Sequence, residues 1–298
     1  MLILEELSDA QAEAVAHLAA LVAAADGVPP LNEEATLLLR EHRPGTRHML
    51  LGGEDQLVGY AQSDARYTSA QLFVHPDQRC KGLGSRLLEE LAAQTPTPAL
   101  WAFGDLPAAR ALAQRHGWGA VRELLVLERP LDSGNPGEAA TRQEDFRLTG
   151  FDPPTDAEAF LALNAAAFAG HPEQGQFSLE DLQQRMAEPW FDPAGLILAW
   201  DADGLAGFHW TKRHSAELGE VYVIATAPRV RGRGLGSVLL AAGLEHLARL
   251  GCRRVLLYVD SANTSAVEMY LHGGFGLAKS DVCYAPTQPP HLPQGAPS

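Results

Sequence analysis

One glycine-rich loop occurs twice in this 298-residue sequence. The first copy reads Arg-Cys-Lys-Gly-Leu-Gly over residues 79–84, and the second reads Arg-Gly-Arg-Gly-Leu-Gly over residues 231–236, so the two lie 152 positions apart. In each copy a short apolar run precedes the loop and an amphipathic pattern follows it, which predicts a strand, a loop and a helix. Because the offset is about half of the chain, we expect two copies of one nucleotide-phosphate-binding unit.

Glycine and basic residues alternate in both loops in a way that suits a bound anion. The N–H groups in the first turn of a helix lack intrahelical partners, and the helix dipole adds partial positive charge there. Gly82 and Gly234 allow positive φ and a close approach of the backbone, while Arg79 and Arg231 add point charges. The predicted ligand is a pyrophosphate, although a single such loop could also be a purely structural helix start.

Composition restricts the partners. The net charge is −14, from 23 Lys and Arg against 37 Asp and Glu, which disfavours binding to nucleic acid or to anionic membranes. The three cysteines, Cys80, Cys252 and Cys283, include no Cys-x-x-Cys pair, so we expect a reducing cytoplasm. No apolar stretch is long enough to span a bilayer, and the histidines have no metal-ligand spacing, so neither a membrane nor a metal is expected.

The chain divides into two halves with the same pattern of elements. We predict an N-terminal domain over residues 1–130, a polar Gly- and Pro-rich linker over 131–145, a C-terminal domain over 146–285 and a flexible tail over 286–298. Each half has helices, then antiparallel strands, then a strand, the loop, a helix, a strand and a helix. This order predicts the α/β class with a mixed sheet. A monomer with an internal pseudo-dimer is expected.

Both loops resemble the signature of the GNAT superfamily of N-acetyltransferases, Gln/Arg-x-x-Gly-x-Gly/Ala at the start of a helix. The resemblance implies two tandem GNAT acyl-CoA N-acyltransferase domains with acetyl-CoA as co-substrate. It places the pyrophosphate at the loops and the pantetheine arm along the strand before each loop, with the helix that follows the last parallel strand beside the arm. The implied CoA contacts are Leu72, Phe73, Val74, Arg79, Cys80, Lys81, Gly82, Leu83 and Gly84 in the first half, and Ile224, Ala225, Thr226, Arg231, Gly232, Arg233, Gly234, Leu235, Gly236, Ser237, Asn263, Thr264, Ser265, Ala266, Val267 and Glu268 in the second.

Longer runs resemble one tandem subfamily of these enzymes across nearly the whole chain. They cover residues 164–175, 190–199, 207–212, 219–223 and, in the first half, 26–30. That subfamily acetylates the cysteinyl amine of a cysteine–glucosamine–inositol conjugate, which becomes the implied small-molecule substrate. The resemblance implies substrate contacts from Glu33, Glu173, Lys212, Glu220 and Tyr258.

The second half carries the candidate catalytic residues. Glu220 lies near the end of the central strand and suits a general base, acting directly or through a water. Tyr270, whose counterpart in the family commonly protonates the leaving thiolate, suits a general acid. Alignment of the halves places Thr68 opposite Glu220 and Ala113 opposite Tyr270, so we expect the C-terminal domain to be catalytic and the N-terminal domain to bind CoA without catalysis.

Structural interpretations stand beside these functional ones. Glu220 could be a solvated strand residue, Tyr270 a packing aromatic, Glu33 a first-turn helix charge and Lys212 a strand-end charge. Two other functions also remain open: a tandem acetyltransferase for another small amine or a peptide, and a non-catalytic acyl-CoA sensor.

Overall fold

The chain forms two compact units in the computed structural model, which describes residues 1–53, 56–94, 99–131, 145–169 and 174–287. Unit 1 comprises Met1–Leu124 and Ser280–Ser298, and unit 2 comprises Leu125–Lys279. These boundaries differ from the sequence-predicted domains, because residues 125–130 belong to unit 2 and residues 280–285 to unit 1. Most of the predicted linker (132–144) and most of the predicted tail (288–298) lie outside the described residues.

Unit 1 is built on a mixed sheet. Its order is β1-β2-β3-β4-β5-β12, in which β4 and β5 are parallel and the other pairs described are antiparallel. The last strand comes from the C-terminal end of the chain: Val282–Tyr284 pair with Leu100–Ala102. The elements are β1 (Leu2–Leu4), α1 (Asp9–Asp26), α2 (Glu33–Leu37), β2 (Thr46–Leu51), β3 (Gly59–Asp64), β4 (Ser69–Val74), α3 (Leu83–Gln94), β5 (Ala99–Ala102), α4 (Pro107–Arg115) and the first part of β6 (Trp118–Pro130), together with most of β12 (Gly276–Pro286).

Unit 2 repeats this plan. Its order is β6-β11-β10-β9-β8-β7. Strands β10 and β11 are parallel, whereas the pairs β10–β9, β9–β8 and β8–β7 are antiparallel. The elements are the second part of β6, β7 (Arg147–Thr149), α5 (Pro153–Ala167), α6 (Leu179–Met186), β8 (Leu196–Asp201), β9 (Gly204–Arg213), β10 (Leu218–Thr226), α7 (Leu235–Arg249), β11 (Arg254–Asp260) and α8 (Thr264–His272).

Local sequence signals account for most of these boundaries. Ser178 caps α6, and Asp181 completes the capping box. The Asp203-Gly204 turn joins β8 and β9, since Asp201 pairs with Gly204 and the glycine has a φ of 115°. Asn32 caps α2, and its side chain accepts from the N–H of Ala35. No membrane-spanning helix, by length and hydropathy, is present in the described part of the chain.

The sheet of unit 2 has two faces that decide where its side chains point. On β9, Phe208 and Trp210 pack against Phe160 of α5, and their ring centroids lie 4.7 and 5.7 Å from that of Phe160. His209, between them, turns the other way, and its Nδ1 lies 2.7 Å from the carbonyl oxygen of Leu239 in α7. We call these the α5 face and the α7 face. Because residues paired directly across strands share a face, the register assigns the remaining side chains.

Candidate active site

The two glycine-rich loops adopt the same backbone conformation. Cys80 and Gly232 occupy equivalent positions with φ of 60° and 76°, and Gly82 and Gly234 follow with φ of 78° and 79°. A side chain rarely adopts such a φ, so Cys80 is a strained position. In unit 2, Gly234 caps α7 without a side-chain hydrogen bond, which leaves the first N–H groups of the helix to a ligand. This arrangement suits a pyrophosphate.

Several basic side chains of the loops have protein partners. Arg79 makes two hydrogen bonds to the carboxylate of Asp26, at 2.7 and 2.8 Å. Lys81 Nζ donates to Gln78 Oε1 at 2.8 Å, and Arg233 pairs with Asp145 at 3.0 Å. Arg231 is exposed. The positive charge of Arg79 is therefore compensated by Asp26, which leaves the backbone N–H groups and the Lys81 ammonium as the anion-binding groups of the first loop.

In both units the central parallel strands pair only near their beginnings, within the described residues. Strands β10 and β11 pair from Leu218–Arg254 to Val221–Leu257, although β10 continues to Thr226. Strands β4 and β5 pair at Ser69–Ala99 and Ala70–Leu100, although β4 continues to Val74. The resulting gap exposes backbone groups of Leu72–Val74 and of Ile224–Thr226 to any molecule that enters it. The predicted position of the pantetheine arm coincides with this gap.

Unit 1 contains a cavity of about 490 Å³ at its loop and gap. The predicted contacts Leu72, Phe73, Val74, Arg79, Cys80, Gly82, Leu83 and Gly84 all line it. Its remaining wall comes mainly from α4, β5 and the segment that follows α1, and it is largely apolar. An apolar channel that ends at a phosphate-binding loop fits the shape and chemistry of a CoA thioester.

Glu220 lies on the α5 face of unit 2, where β10 and β11 begin to separate. It pairs with Lys212 on β9 and with Leu256 on β11. Its side chain is 8% exposed, and its Oε2 atom lies 2.6 Å from Nε2 of His214, which is 35% exposed. The interpretation of Glu220 as a solvated strand residue is therefore wrong, since the carboxylate is buried and hydrogen-bonded.

Lys212 is also buried, among aromatic rings. Its Nζ lies 4.6 Å from the ring centroid of Trp190 and 5.1 Å from that of Tyr222, which places the ammonium in cation–π contact with both. Arg185 of α6 is buried beside them, and its Nε donates to the Tyr222 hydroxyl at 3.0 Å. These contacts exclude the alternative of a solvated strand-end charge for Lys212.

Tyr270 lies on the opposite side of the sheet from Glu220. It packs in the α7-face core with Val255 and Leu257, and its ring meets Phe275 edge-on at 5.8 Å. It is 5% exposed, and burial raises the pKa of its phenol above the ordinary value of 10.0. The phenol therefore stays protonated at neutral pH, as a general acid must.

Comparison with known proteins agrees with this geometry. The model of the Acetyltransferase (GNAT) family matches residues 159–275, and that of an Acetyltransferase (GNAT) domain matches residues 44–119. A mycothiol acetyltransferase from Thermobispora bispora is 49% identical over 284 residues, which are 91% of this chain and 95% of the relative. One from Geodermatophilus obscurus is 45% identical over 295 residues, 94% of this chain and 96% of the relative. This chain belongs to the mycothiol acetyltransferase family.

Solved structures show the same tandem fold. A tandem GNAT protein from the clavulanic acid biosynthesis pathway superposes with a TM-score of 0.73 at 19% identity and covers 95% of this chain and 97% of its own. A GCN5-related N-acetyltransferase from Sphaerobacter thermophilus gives 0.70 at 23% identity, with 95% of each chain covered. The predicted fold class, a mixed α/β sheet in two tandem GNAT domains, is confirmed. The mycothiol acetyltransferase family places the chain among acetyl-CoA-dependent N-acetyltransferases.

Strand register corrects one detail of the internal alignment. In unit 1, Val74 pairs with Gly59 and Ser69 with Asp64; in unit 2, Thr226 pairs with Gly207 and Glu220 with Lys212. Counted from the loops, the counterpart of Glu220 is therefore Ser69, not the predicted Thr68. The reason is a β-bulge at Tyr222, which adds one residue to β10. Ala113 is confirmed opposite Tyr270, as each is the seventh residue of its helix.

The other predicted site residues lie in several elements of this chain. Tyr258 shares the α5 face with Glu220 and is 42% exposed. Asn263 caps α8 by accepting from the N–H of Ala266, and Thr264 to Glu268 form the first turns of that helix. Glu33 begins α2 in unit 1, and Glu173 lies outside the described residues.

Four partners in these sites were not predicted from the sequence: His214 beside Glu220, Trp190 and Arg185 around Lys212 and Tyr222, and Asp26 beside Arg79. His214 alone had a usable signal, because only five residues separate it from Glu220 in the sequence. The described residues contain no group of three His, Cys, Asp or Glu side chains that could hold a metal ion.

Proposed function

We propose that this protein transfers the acetyl group of acetyl-CoA to the cysteinyl amine of the cysteine–glucosamine–inositol conjugate, yielding mycothiol and CoA in unit 2. The observation that carries the proposal is the buried Glu220 carboxylate where β10 and β11 separate, with the protonated Tyr270 phenol on the opposite face of the sheet. In the proposal the amine acceptor binds beside Glu220 and the thioester sulfur beside Tyr270.

Deprotonation of the amine comes first. A cysteinyl amine is an ammonium at neutral pH and is not nucleophilic until it loses a proton. Glu220 accepts that proton, directly or through one water, and the nitrogen then attacks the thioester carbonyl. In the proposal, a backbone N–H of β10 near Ile224 or Ala225 stabilises the oxyanion of the tetrahedral intermediate.

Collapse of the intermediate releases CoA. The C–S bond breaks, the electron pair goes to sulfur, and the Tyr270 hydroxyl gives its proton to the thiolate. Because burial keeps this phenol protonated, the acid is present throughout the neutral pH range. The nitrogen loses its second proton to solvent as the amide forms. Glu220 then releases to solvent the proton that it accepted, and Tyr270 recovers one from solvent, so both groups return to their starting states and the cycle releases one proton in total.

Substrate recognition in the proposal relies on polar groups around Glu220. The conjugate carries one cationic amine and many hydroxyl groups, which suit carboxylates, a tyrosine and an ammonium. Lys212 and Tyr258 share the α5 face with Glu220 and supply such groups, and Glu33 and Glu173 complete the proposed set.

Unit 1 is proposed to bind acetyl-CoA without catalysis. Its cavity and loop support binding, whereas Ser69 and Ala113 stand where unit 2 has Glu220 and Tyr270. A cytoplasmic monomer is part of the same proposal.

Acceptor selectivity tests the proposed function. Thiol release from acetyl-CoA is measured with the cysteinyl glucosaminyl inositol conjugate, with cysteine, with glucosamine and with a peptide that has a free N-terminus. We expect turnover with the conjugate to exceed that with each other amine by at least tenfold in kcat/KM. Faster turnover of a peptide would favour the alternative acetyltransferase, and turnover of none would favour an acyl-CoA sensor.

A further inference from the structure

His214 lies between the buried carboxylate of Glu220 and solvent. It occupies the four-residue connection between β9 and β10, and its Nε2 atom lies 2.6 Å from Oε2 of Glu220. The Glu220 side chain is 8% exposed and that of His214 is 35% exposed. The imidazole therefore contacts both the candidate base and water.

Backbone hydrogen bonds fix this connection. The N–H of His214 donates to the carbonyl oxygen of Leu218 at 2.9 Å, and Ser215 Oγ accepts from the N–H groups of Glu217 and Leu218 at 3.2 and 3.1 Å. Arg213 Nε donates to the carbonyl oxygen of Ser215 at 3.0 Å. The ring of His214 is thus held at a defined place beside Glu220 rather than on a loose loop.

The direction of the hydrogen bond follows from the chemistry of the two groups. An ionised carboxylate only accepts, so Nε2 carries the hydrogen and donates to Oε2. With Oε2 occupied, Oε1 is the oxygen left to take the proton of the acceptor ammonium. The bond also fixes the rotation of the carboxylate, which otherwise has to be ordered at the moment of reaction.

The charge of His214 changes the strength of the base. A neutral imidazole donates the same hydrogen bond but adds no charge, whereas an imidazolium stabilises the ionised carboxylate and so weakens it as a proton acceptor. An imidazole changes between these states in the range from pH 5 to pH 8.

We propose that His214 is a positioning residue for Glu220: it fixes the carboxylate through Oε2, directs Oε1 to the amine and makes the activity depend on the protonation of its own ring. The inference rests on the proposed function of Glu220 as the general base. In the acetylation cycle one proton moves from the ammonium nitrogen to Oε1, while the hydrogen on Nε2 stays in place.

Other charged and titratable side chains near this pair are the same in the wild type and in the His214 variants. They belong to β9, β10, β11, α6 and the β9–β10 connection: Lys212, Arg213, Glu217, Tyr222, Arg254, Tyr258, Asp260 and Arg185. A change in the pH profile that is specific to His214 variants therefore reports the imidazole.

The test compares kcat between pH 5.5 and pH 9 for the wild type, His214→Gln, His214→Ala and Glu220→Gln, with acetyl-CoA and the cysteinyl conjugate at saturation. His17→Gln, at an exposed histidine of α1, is the matched control and should behave as wild type. In His214→Gln a neutral amide can still donate, so we expect a plateau rate within about tenfold of wild type and an acid-side break at least about one pH unit lower. In His214→Ala the donor is lost, and we expect the plateau to fall by roughly tenfold to a hundredfold.

The outcomes separate the inference from the proposed function. An acid-side break that does not move in His214→Gln overturns the inference, as does a His214→Ala rate within threefold of wild type. If Glu220→Gln loses activity in the same experiment, Glu220 remains the proposed base and only the role of His214 fails. A Glu220→Gln enzyme as fast as wild type overturns both.

Discussion

At the scale of single residues, the two candidate catalytic groups differ in what their surroundings do for them. The Glu220 carboxylate is buried but has a hydrogen-bond donor in His214, so its Oε2 atom is not left without a partner. The Tyr270 phenol is buried among apolar side chains, which favours the protonated form. One site is thus suited to accept a proton and the other to keep one.

Replacement of Tyr270 by Phe removes the proposed acid and keeps the packing against Phe275. We expect kcat to fall by about tenfold to a hundredfold, with the KM for acetyl-CoA nearly unchanged, because the hydroxyl is needed only when thiolate forms. Steady-state thiol release measures both constants, and Tyr67→Phe in unit 1 is the matched control. An unchanged kcat in Tyr270→Phe would leave the residue with a packing role alone.

The candidate residues of the site could be proposed from the sequence, but their environment could not. The carboxylate and the phenol were predictable from their places in the second repeat, whereas their positions on opposite sheet faces depend on strand register. The cation–π contacts of Lys212 also needed three dimensions, since Trp190 comes from a loop that precedes β8.

At the scale of elements, the β-bulge at Tyr222 has the largest consequence. It adds one residue to β10, turns Tyr222 toward Lys212 and Trp190, and precedes the part of the strand that no longer pairs with β11. Unit 1 has the same gap without the extra residue. A sequence pattern cannot distinguish a bulge from a regular strand, and the predicted counterpart of Glu220 was therefore one residue off.

The packing of α7 on β9 also makes unit 2 sensitive to acid. His209 is fully buried between these elements, against Gly243, and desolvation lowers its pKa from 6.5 to about 4. Below pH 6.5 the His209 imidazole of the unfolded chain takes up a proton, whereas the buried imidazole of the folded chain does not until about pH 4. The free energy of unfolding is therefore unaffected by this histidine above pH 6.5 and decreases as the pH falls toward 4. We expect His209 to reduce the free energy of unfolding by about 2 kcal/mol between pH 7 and pH 5.

Denaturant unfolding followed at pH 7, 6 and 5 measures this dependence. In His209→Gln the loss over the same range should be smaller, whatever the stability of the variant at pH 7, because the amide does not titrate. An equally steep loss in the variant would show that other groups cause the acid sensitivity.

At the scale of the whole molecule, the two similar units carry different residues at the positions of the candidate catalytic groups. Both keep the positive-φ loop and the gap beside it, which are the parts that fit CoA. Ser69 and Ala113 in unit 1 replace the carboxylate and the phenol. The presence of two GNAT domains was predictable from the repeat, and the division of roles between them stays a prediction. The exchange of residues 125–130 and 280–285 between units was not predictable, because strand partners far apart in sequence leave no local signal.

Two CoA-binding units predict two bound acetyl-CoA molecules per chain. Isothermal titration of the wild type should show two sites, and Gly82→Val should show one, because a β-branched residue strongly disfavours the φ of 78° at that position. A wild-type stoichiometry of one, or an unchanged stoichiometry in Gly82→Val, would contradict a ligand in unit 1.

The central claim is that acetyl transfer occurs in unit 2 with Glu220 as the base. The most direct measurement is the rate of thiol release from acetyl-CoA, with the cysteinyl conjugate as acceptor, for Glu220→Gln and for its unit 1 counterpart Ser69→Ala. We predict that Glu220→Gln lowers kcat by roughly 10²–10⁴ while Ser69→Ala stays within about threefold of wild type. A Glu220→Gln enzyme within threefold of wild type, or an equal loss in Ser69→Ala, would contradict this account.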